Sequence, residues 1–150
     1  MSELRRLNFA DAQSVANEVK RLRAGYAQTG AWTLPQMCWH LNQAMRNGMS
    51  RYSGPAVAND PEKERLVEHV LSAGGIPAGN NAPQRVIPPA DVPENIIDEF
   101  LERLGTLKDF AGPFAPHPFF GLVEAKKYKR LFYIHCAHHL SFLIPAPEQG

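Results

Sequence analysis

The chain has 150 residues, of which 44% are hydrophobic and 21% charged, with a formal net charge of +1. That balance fits one globular domain over residues 1–150, large enough to bury a core without disulfide staples. It excludes the strongly basic nucleic-acid binders, since no long basic run exists, and no apolar run is long enough to span a bilayer. Two cysteines, Cys38 and Cys136, do not make a disulfide framework. With no secretory h-region at the N-terminus, a cytoplasmic location is expected.

The spacing predicts a helix over residues 10–24. Ala12, Val15, Val19 and Leu22 make its apolar face, Asp11 sits in its first turn and Gly25 stops it. A second helix opens on the capping box Thr33-Leu34-Pro35-Gln36 and runs to about Gly48. Its apolar stripe is Met37, Leu41, Ala44 and Met45, and His40 falls inside that stripe.

From residue 50 to residue 92 prolines and glycines break the chain up. Residues 62–72 can form a short helix with Leu66, Val67, Val70 and Leu71 on one side. The remainder cannot be regular helix, and Pro88-Pro89 favours extended geometry. A stretch of this length in a compact domain suits a crossover that runs along a bundle. A third helix is expected from a second capping box, Asp91-Val92-Pro93-Glu94, through Ile96, Ile97, Phe100, Leu101, Leu104 and Leu107 to a stop at Gly112-Pro113. An aromatic turn around His117 precedes a fourth helix over residues 124–144, with Tyr128, Leu131, Phe132, His135, His139, Phe142 and Leu143 facing inward. No strand pattern stands out.

These elements predict an all-α fold, a four-helix bundle in up-down-down-up order, with the long Pro-rich crossover between helices 2 and 3. Short loops make helices 1 and 2, and 3 and 4, antiparallel. The crossover lets helices 2 and 3 run parallel.

Three of the six histidines lie within five positions, His135, His138 and His139. His135 and His139 are about 40° apart on the helix surface and one turn apart along it. Such a pair can hold one metal ion. In the up-down-down-up order, His40 near the start of helix 2 reaches the level of His135 and His139 near the end of helix 4. His40, His135 and His139 are therefore the candidate ligands of a divalent ion such as Zn, Ni or Fe, with a coordination position left for water or a substrate. A water or thiol there would be acidified toward a usable nucleophile. Gln36, one turn before His40 on nearly the same face, is a candidate to support the ligands from behind or to contact a substrate, and His138 is a candidate flanking or supporting residue. Cys38 should face away as a small buried residue. His69 should be exposed, and His117 should buttress its turn at the opposite end from the metal pair. Trp32, Trp39 and Tyr26 lie near the proposed site, where core or interface packing is the commoner use of such rings than a substrate platform. A lone histidine in an apolar stripe is ordinarily a hydrogen-bonded core residue, so the histidines could instead form a polar core in a non-catalytic ligand-binding or dimerisation module.

The order Trp32-Thr33-Leu34-Pro35-Gln36-Met37-Cys38-Trp39-His40-Leu41, then His117-Pro118-x-Phe120-Gly121, then His135-x-x-His138-His139-Leu140 resembles the DinB/YfiT-like superfamily over essentially the whole chain. Within it, the resemblance is to an uncharacterised bacterial subfamily, a domain of unknown function. It implies an up-down-down-up bundle and a divalent-metal triad falling on His40, His135 and His139. It also implies chemistry of the thiol-transferase type on a small-molecule substrate, a low-molecular-weight thiol as cofactor, and a homodimer. The superfamily also holds members without metal ligands, so fold alone does not make an enzyme.

Overall fold

The computed structural model describes residues 7–50, 60–74, 87–117 and 120–147. Among them the chain is mostly helical, with five helices and one small antiparallel sheet. The elements are α1 (Ala12–Arg23), β1 (Tyr26–Gln28), α2 (Leu34–Met49), α3 (Pro61–Ala73), α4 (Ile96–Asp109), α5 (Ala125–Leu140) and β2 (Leu143–Pro145). Two parts of the broken connection expected between helices 2 and 3, at 51–59 and 75–86, lie outside the described residues, as does Pro118 of the aromatic turn.

The helix starts follow the local chemistry. Asp11 caps α1 by accepting from the Ser14 amide at 2.8 Å. Thr33 accepts from the Gln36 amide at 3.3 Å while the Gln36 side chain accepts from the Thr33 amide at 2.9 Å, a complete capping box at α2. Asp60 caps α3 ahead of Pro61, and Gly74 closes that helix in the left-handed conformation at φ 69. The capping box expected at Asp91–Glu94 does not form. Turns occupy that stretch, and α4 begins at Ile96 with Asn95 as its N-cap and no side-chain cap bond. Pro93 still defines the entry, because its carbonyl accepts from the Ile96 amide at 3.2 Å.

The core gathers the apolar stripes of α1, α2, α4 and α5. Val15, Val19, Leu22, Leu41, Phe100 and Leu140 are wholly buried. Burying side chains of this size contributes about 1.5–3 kcal/mol each. A smaller cluster joins Val67 and Val70 of α3 to Leu131 of α5. His69 on the other side of α3 is exposed.

Contacts between the long helices keep a regular order. Along α2, the Gln36 side chain donates to the Pro89 carbonyl at 3.0 Å, Asn42 bonds Glu99 and Arg103 at 2.8 Å each, and the Gly48 carbonyl accepts from the Ala115 amide at 2.8 Å. Partner numbers rise together along α2 and along the segment from Pro89 through α4 to Ala115. Against α5 they run oppositely: His40 meets His135, and Gly48 lies against Tyr128. Arg23 at the end of α1 forms a two-bond ion pair with Asp98 at the start of α4.

Gly48 lies close against Tyr128, where α2 meets α5. A Cβ there would stand 2.5 Å from the Tyr128 hydroxyl oxygen. Tyr128 cannot retreat freely, being stacked on Phe114 with ring centroids 4.1 Å apart. Replacing a helical glycine by alanine ordinarily gains up to about 1 kcal/mol, but overpacking costs about 1–3 kcal/mol. Gly48→Ala is therefore expected to be net destabilising by about 1–2 kcal/mol in urea unfolding. Adding Tyr128→Phe, which deletes the obstructing oxygen, should recover most of that loss.

One expectation is corrected outright. The chain is not purely α-helical, and α5 does not continue to residue 144. It ends at Leu140, and Leu143–Pro145 turn back to pair with Tyr26–Gln28 in the register Tyr26↔Pro145, Ala27↔Ile144, Gln28↔Leu143. The reason is local. The Ser141 hydroxyl donates to the His138 carbonyl at 2.6 Å, which draws on the end of the helix, and the residues beyond can bury Leu143 while Pro145 needs no donor. The pairing is extended by Thr29, whose amide and hydroxyl both donate to the Phe142 carbonyl at 2.9 and 2.6 Å, and by the Ala146 amide donating to the Gly25 carbonyl at 2.8 Å.

Candidate metal centre

α2 and α5 bring His40, His135 and His139 together. His40 is buried at 2% exposure within the apolar stripe of α2, and the other two are half-buried. On α5 they occupy i and i+4, beside the buried face formed by Phe132, Cys136 and Leu140.

The three rings do not stack on one another. His40 and His135 meet at 83°, His40 and His139 at 65°, and His135 and His139 at 62°. Such steep angles point ring edges inward. The Nε2 atoms of His40 and His135 are 3.1 Å apart, and those of His139 and His135 are 3.0 Å apart. One ring nitrogen from each residue lies within 4.8 Å of the others. An ion about 2.1 Å from each imidazole requires nitrogen separations of about 3.0–3.4 Å, and the two separations that involve His135 fall in that range. The chemistry of the cluster fits as well. The His135 Nε2 atom carries either one proton or one lone pair, so it cannot form two good linear hydrogen bonds with two neutral rings. A cation among three lone pairs has no such conflict.

Burial favours the neutral form of His135 and His139, which is the form that ligates metal. It drives His135 well below the usual histidine range, with further push from positive charge on His139, His40, His117 and His138. His139 is lowered by the same two causes, burial first and then charge on His40 and His138.

Around the cluster the walls are aromatic. The Trp32 ring is stacked on His139 at 5.4 Å and 16°, and tilted over His40 at 5.0 Å. Phe132 stands edge-on to His135 at 6.4 Å. Trp32 was expected near this end of the helices, and the structure adds that its ring lies directly against His139 and His40. The only signal for that contact is placement directly before the N-cap Thr33, and the turn that delivers it depends on the β1–β2 pairing.

The remaining site candidates fall around this centre. His138 is exposed and touches the cluster only through its ring contact with His139 at 5.2 Å. Gln36 spends its amide on the Thr33 amide and the Pro89 carbonyl, so it fixes the start of α2 and thereby the turn carrying Trp32. Cys38 and Cys136 are buried free thiols. Burial pushes Cys38 up to about 12 and Cys136 well above the ordinary thiol range, so neither is a ready nucleophile. His117 buttresses its turn, its Nδ1 accepting from the Phe120 amide at 3.3 Å. It lies beside Tyr128, about two turns before His135 on α5. A polar groove of about 640 Å³ lined by Gln43, Arg46, Asn47, Met49, Ser50 and Arg103 is separate from the histidines. No helix among the described residues is long and apolar enough to cross a membrane.

A family model described as protein of unknown function (DUF1569) matches residues 1–146. No curated protein and no solved structure matches the chain significantly.

Proposed function

The chain belongs to the DUF1569 family, whose function is unknown, and from the geometry of its histidines we propose that it is a divalent-metal protein with His40, His135 and His139 as ligands. The observation that carries this is the meeting of the Nε2 atoms at 3.0 and 3.1 Å. When bound, the ion supplies Lewis-acid activation of a water or thiol that reaches it. The chain's own residues hold the ion through neutral rings, while Trp32 and Phe132 limit access of solvent to them.

The finer reading is a DinB-like up-down-down-up four-helix bundle formed by α1, α2, α4 and α5. The parallel progress of contacts along α2 and the segment carrying α4, and the opposite progress along α2 and α5, support it. That order brings the start of α2 and the end of α5 to one level. On this reading the substrate class is a low-molecular-weight thiol or its electrophilic partner, by resemblance to the superfamily. Two buried free cysteines suit a reducing, cytoplasmic setting.

A second reading takes one of the two contacts as an N–H···N hydrogen bond, which its length also matches, and leaves the other ring only packed beside it. The three histidines would then be a polar core in a binding or dimerisation module. Titration of the metal-free protein with Zn²⁺ and Ni²⁺ against a competing chelator separates the two. The metal reading expects one ion per chain, with His138→Ala unchanged. A chain that takes up no ion removes the metal reading and leaves the polar core, and loss of the ion in His138→Ala overturns the ligand set.

A further inference from the structure

We infer that Trp32 is a positioning residue for the metal, holding the His139 ring in its ligating orientation and tightening the ion by stacking on that ring. The inference rests on the metal reading above.

The indole lies nearly parallel to the His139 imidazole, 16° from coplanar at 5.4 Å, and it also covers one side of His40. An imidazole turns about a soft terminal torsion, so its Nε2 direction is not set by the helix alone. A flat ring against its face opposes tilting out of the plane that aims Nε2 at His135. Trp32 can serve this way because it is itself fixed on both sides. On its C-terminal side Thr33 begins α2 in a closed capping box. On its N-terminal side Thr29 is bonded twice to the Phe142 carbonyl, three residues after His139. Gly30 lies so near Phe142 that a Cβ there would come within 3.2 Å of its ring. The segment following the ligand and the segment preceding the indole are thus one tied unit.

The stack also responds to the ion. An imidazole that donates its lone pair to a cation becomes electron-poor, and the electron-rich face of an indole attracts such a ring more strongly than a neutral one. Whatever the ion adds to the stack, the stack returns to ion affinity.

Three variants test this, using Ni²⁺ and Co²⁺ as probes. Trp32→Ala should weaken Ni²⁺ binding about tenfold, and Trp32→Phe, which keeps a ring, by no more than about threefold. The chain has two tryptophans, so in Trp39→Phe the indole emission comes from Trp32 alone. That emission should fall in proportion to bound Ni²⁺ and level off at one equivalent per chain. The visible Co²⁺ spectrum at saturation should shift in Trp32→Ala and stay near that of the native protein in Trp32→Phe, which a merely structural role would not produce. Unchanged Ni²⁺ affinity and Co²⁺ spectrum in Trp32→Ala, or unchanged Trp39→Phe emission at full occupancy, overturn the inference while the metal reading stands. If Trp32→Ala does not fold, Trp32→Leu, which keeps apolar bulk without a ring, carries the same Ni²⁺ affinity and Co²⁺ spectrum readouts. A native protein that takes up no ion removes the metal reading, and this inference with it.

Discussion

His135→Ala is expected to abolish stoichiometric metal binding, weakening affinity on the order of 10³-fold, whereas His138→Ala leaves it in place. His135 is the hub of the cluster. Its Nε2 is the atom within 3.1 Å of His40 and within 3.0 Å of His139. Removing it leaves two rings on different helices, with no ligand pair one turn apart on a single helix. His40→Ala spares that local pair on α5 and should cost less, about tenfold to a hundredfold. Both quantities are read from chelator competition, with metal content per chain as the check. Equal metal content in His135→Ala and native protein would remove His135 from the ligand set. Unfolding of the metal-free variants adds a second readout. If the histidines serve only as a hydrogen-bonded core, His135→Ala should cost about 1–3 kcal/mol of stability without any metal present. If they serve a cation, the metal-free protein should lose less from the substitution than the loaded protein does.

Acidification is expected to destabilise the metal-free protein well before its carboxylates titrate. His117 makes the cleanest case, since it lies outside the ligand set. Burial lowers it to about 4 from an ordinary 6.5. Between those values the unfolded chain binds a proton that the folded chain refuses. Stability therefore rises with pH in that window. The contribution of His117 is complete above 6.5 and is lost as pH falls toward 4. Each such group costs about 1.4 kcal/mol per pH unit inside the window. His135 and His139 are lowered in the same direction, so the total loss from pH 7.5 to 5.5 should reach about 2–4 kcal/mol. Urea midpoints in the presence of a chelator measure it. His117→Asn, which keeps an acceptor for the Phe120 amide, should flatten the slope by about 1.4 kcal/mol per pH unit. A pH-independent midpoint over this range would mean that these histidines are not held neutral by burial.

Much of this molecule could be read from its residues, and the parts that could not share a cause. α1 and α2 were legible because Asp11, Thr33 and Gln36 act on backbone groups within three residues. The pairing of His135 with His139 was legible for the same reason, being one turn of one helix. His40 required an argument about chain direction, supplied by the length and prolines of the connection after α2. The false capping box at Asp91–Glu94 shows the limit of local pattern. Asp91 and Glu94 have the right spacing, yet the chain turns there and the helix waits until Ile96. The β1–β2 sheet was invisible because each strand is three residues long, too short for an alternating pattern to register. Tyr26 and Leu143 declare no partner in sequence. Their pairing, and with it the seat of Trp32, is decided only once α1, α2 and α5 are packed.

The two bonds from Thr29 to Phe142 close a loop of 113 residues, and this bears on the order in which the centre comes together. Closing so long a loop costs little more entropy than closing one half its length, but it cannot be completed until the helices between have docked. The His135–His139 pair exists as soon as α5 is helical. By loop length alone, His40 is expected to join when α2 docks, and the indole last, when the sheet forms. On the metal reading, an ion meeting the incomplete chain would find only a two-ring grip, and tight loading would be a property of the finished fold.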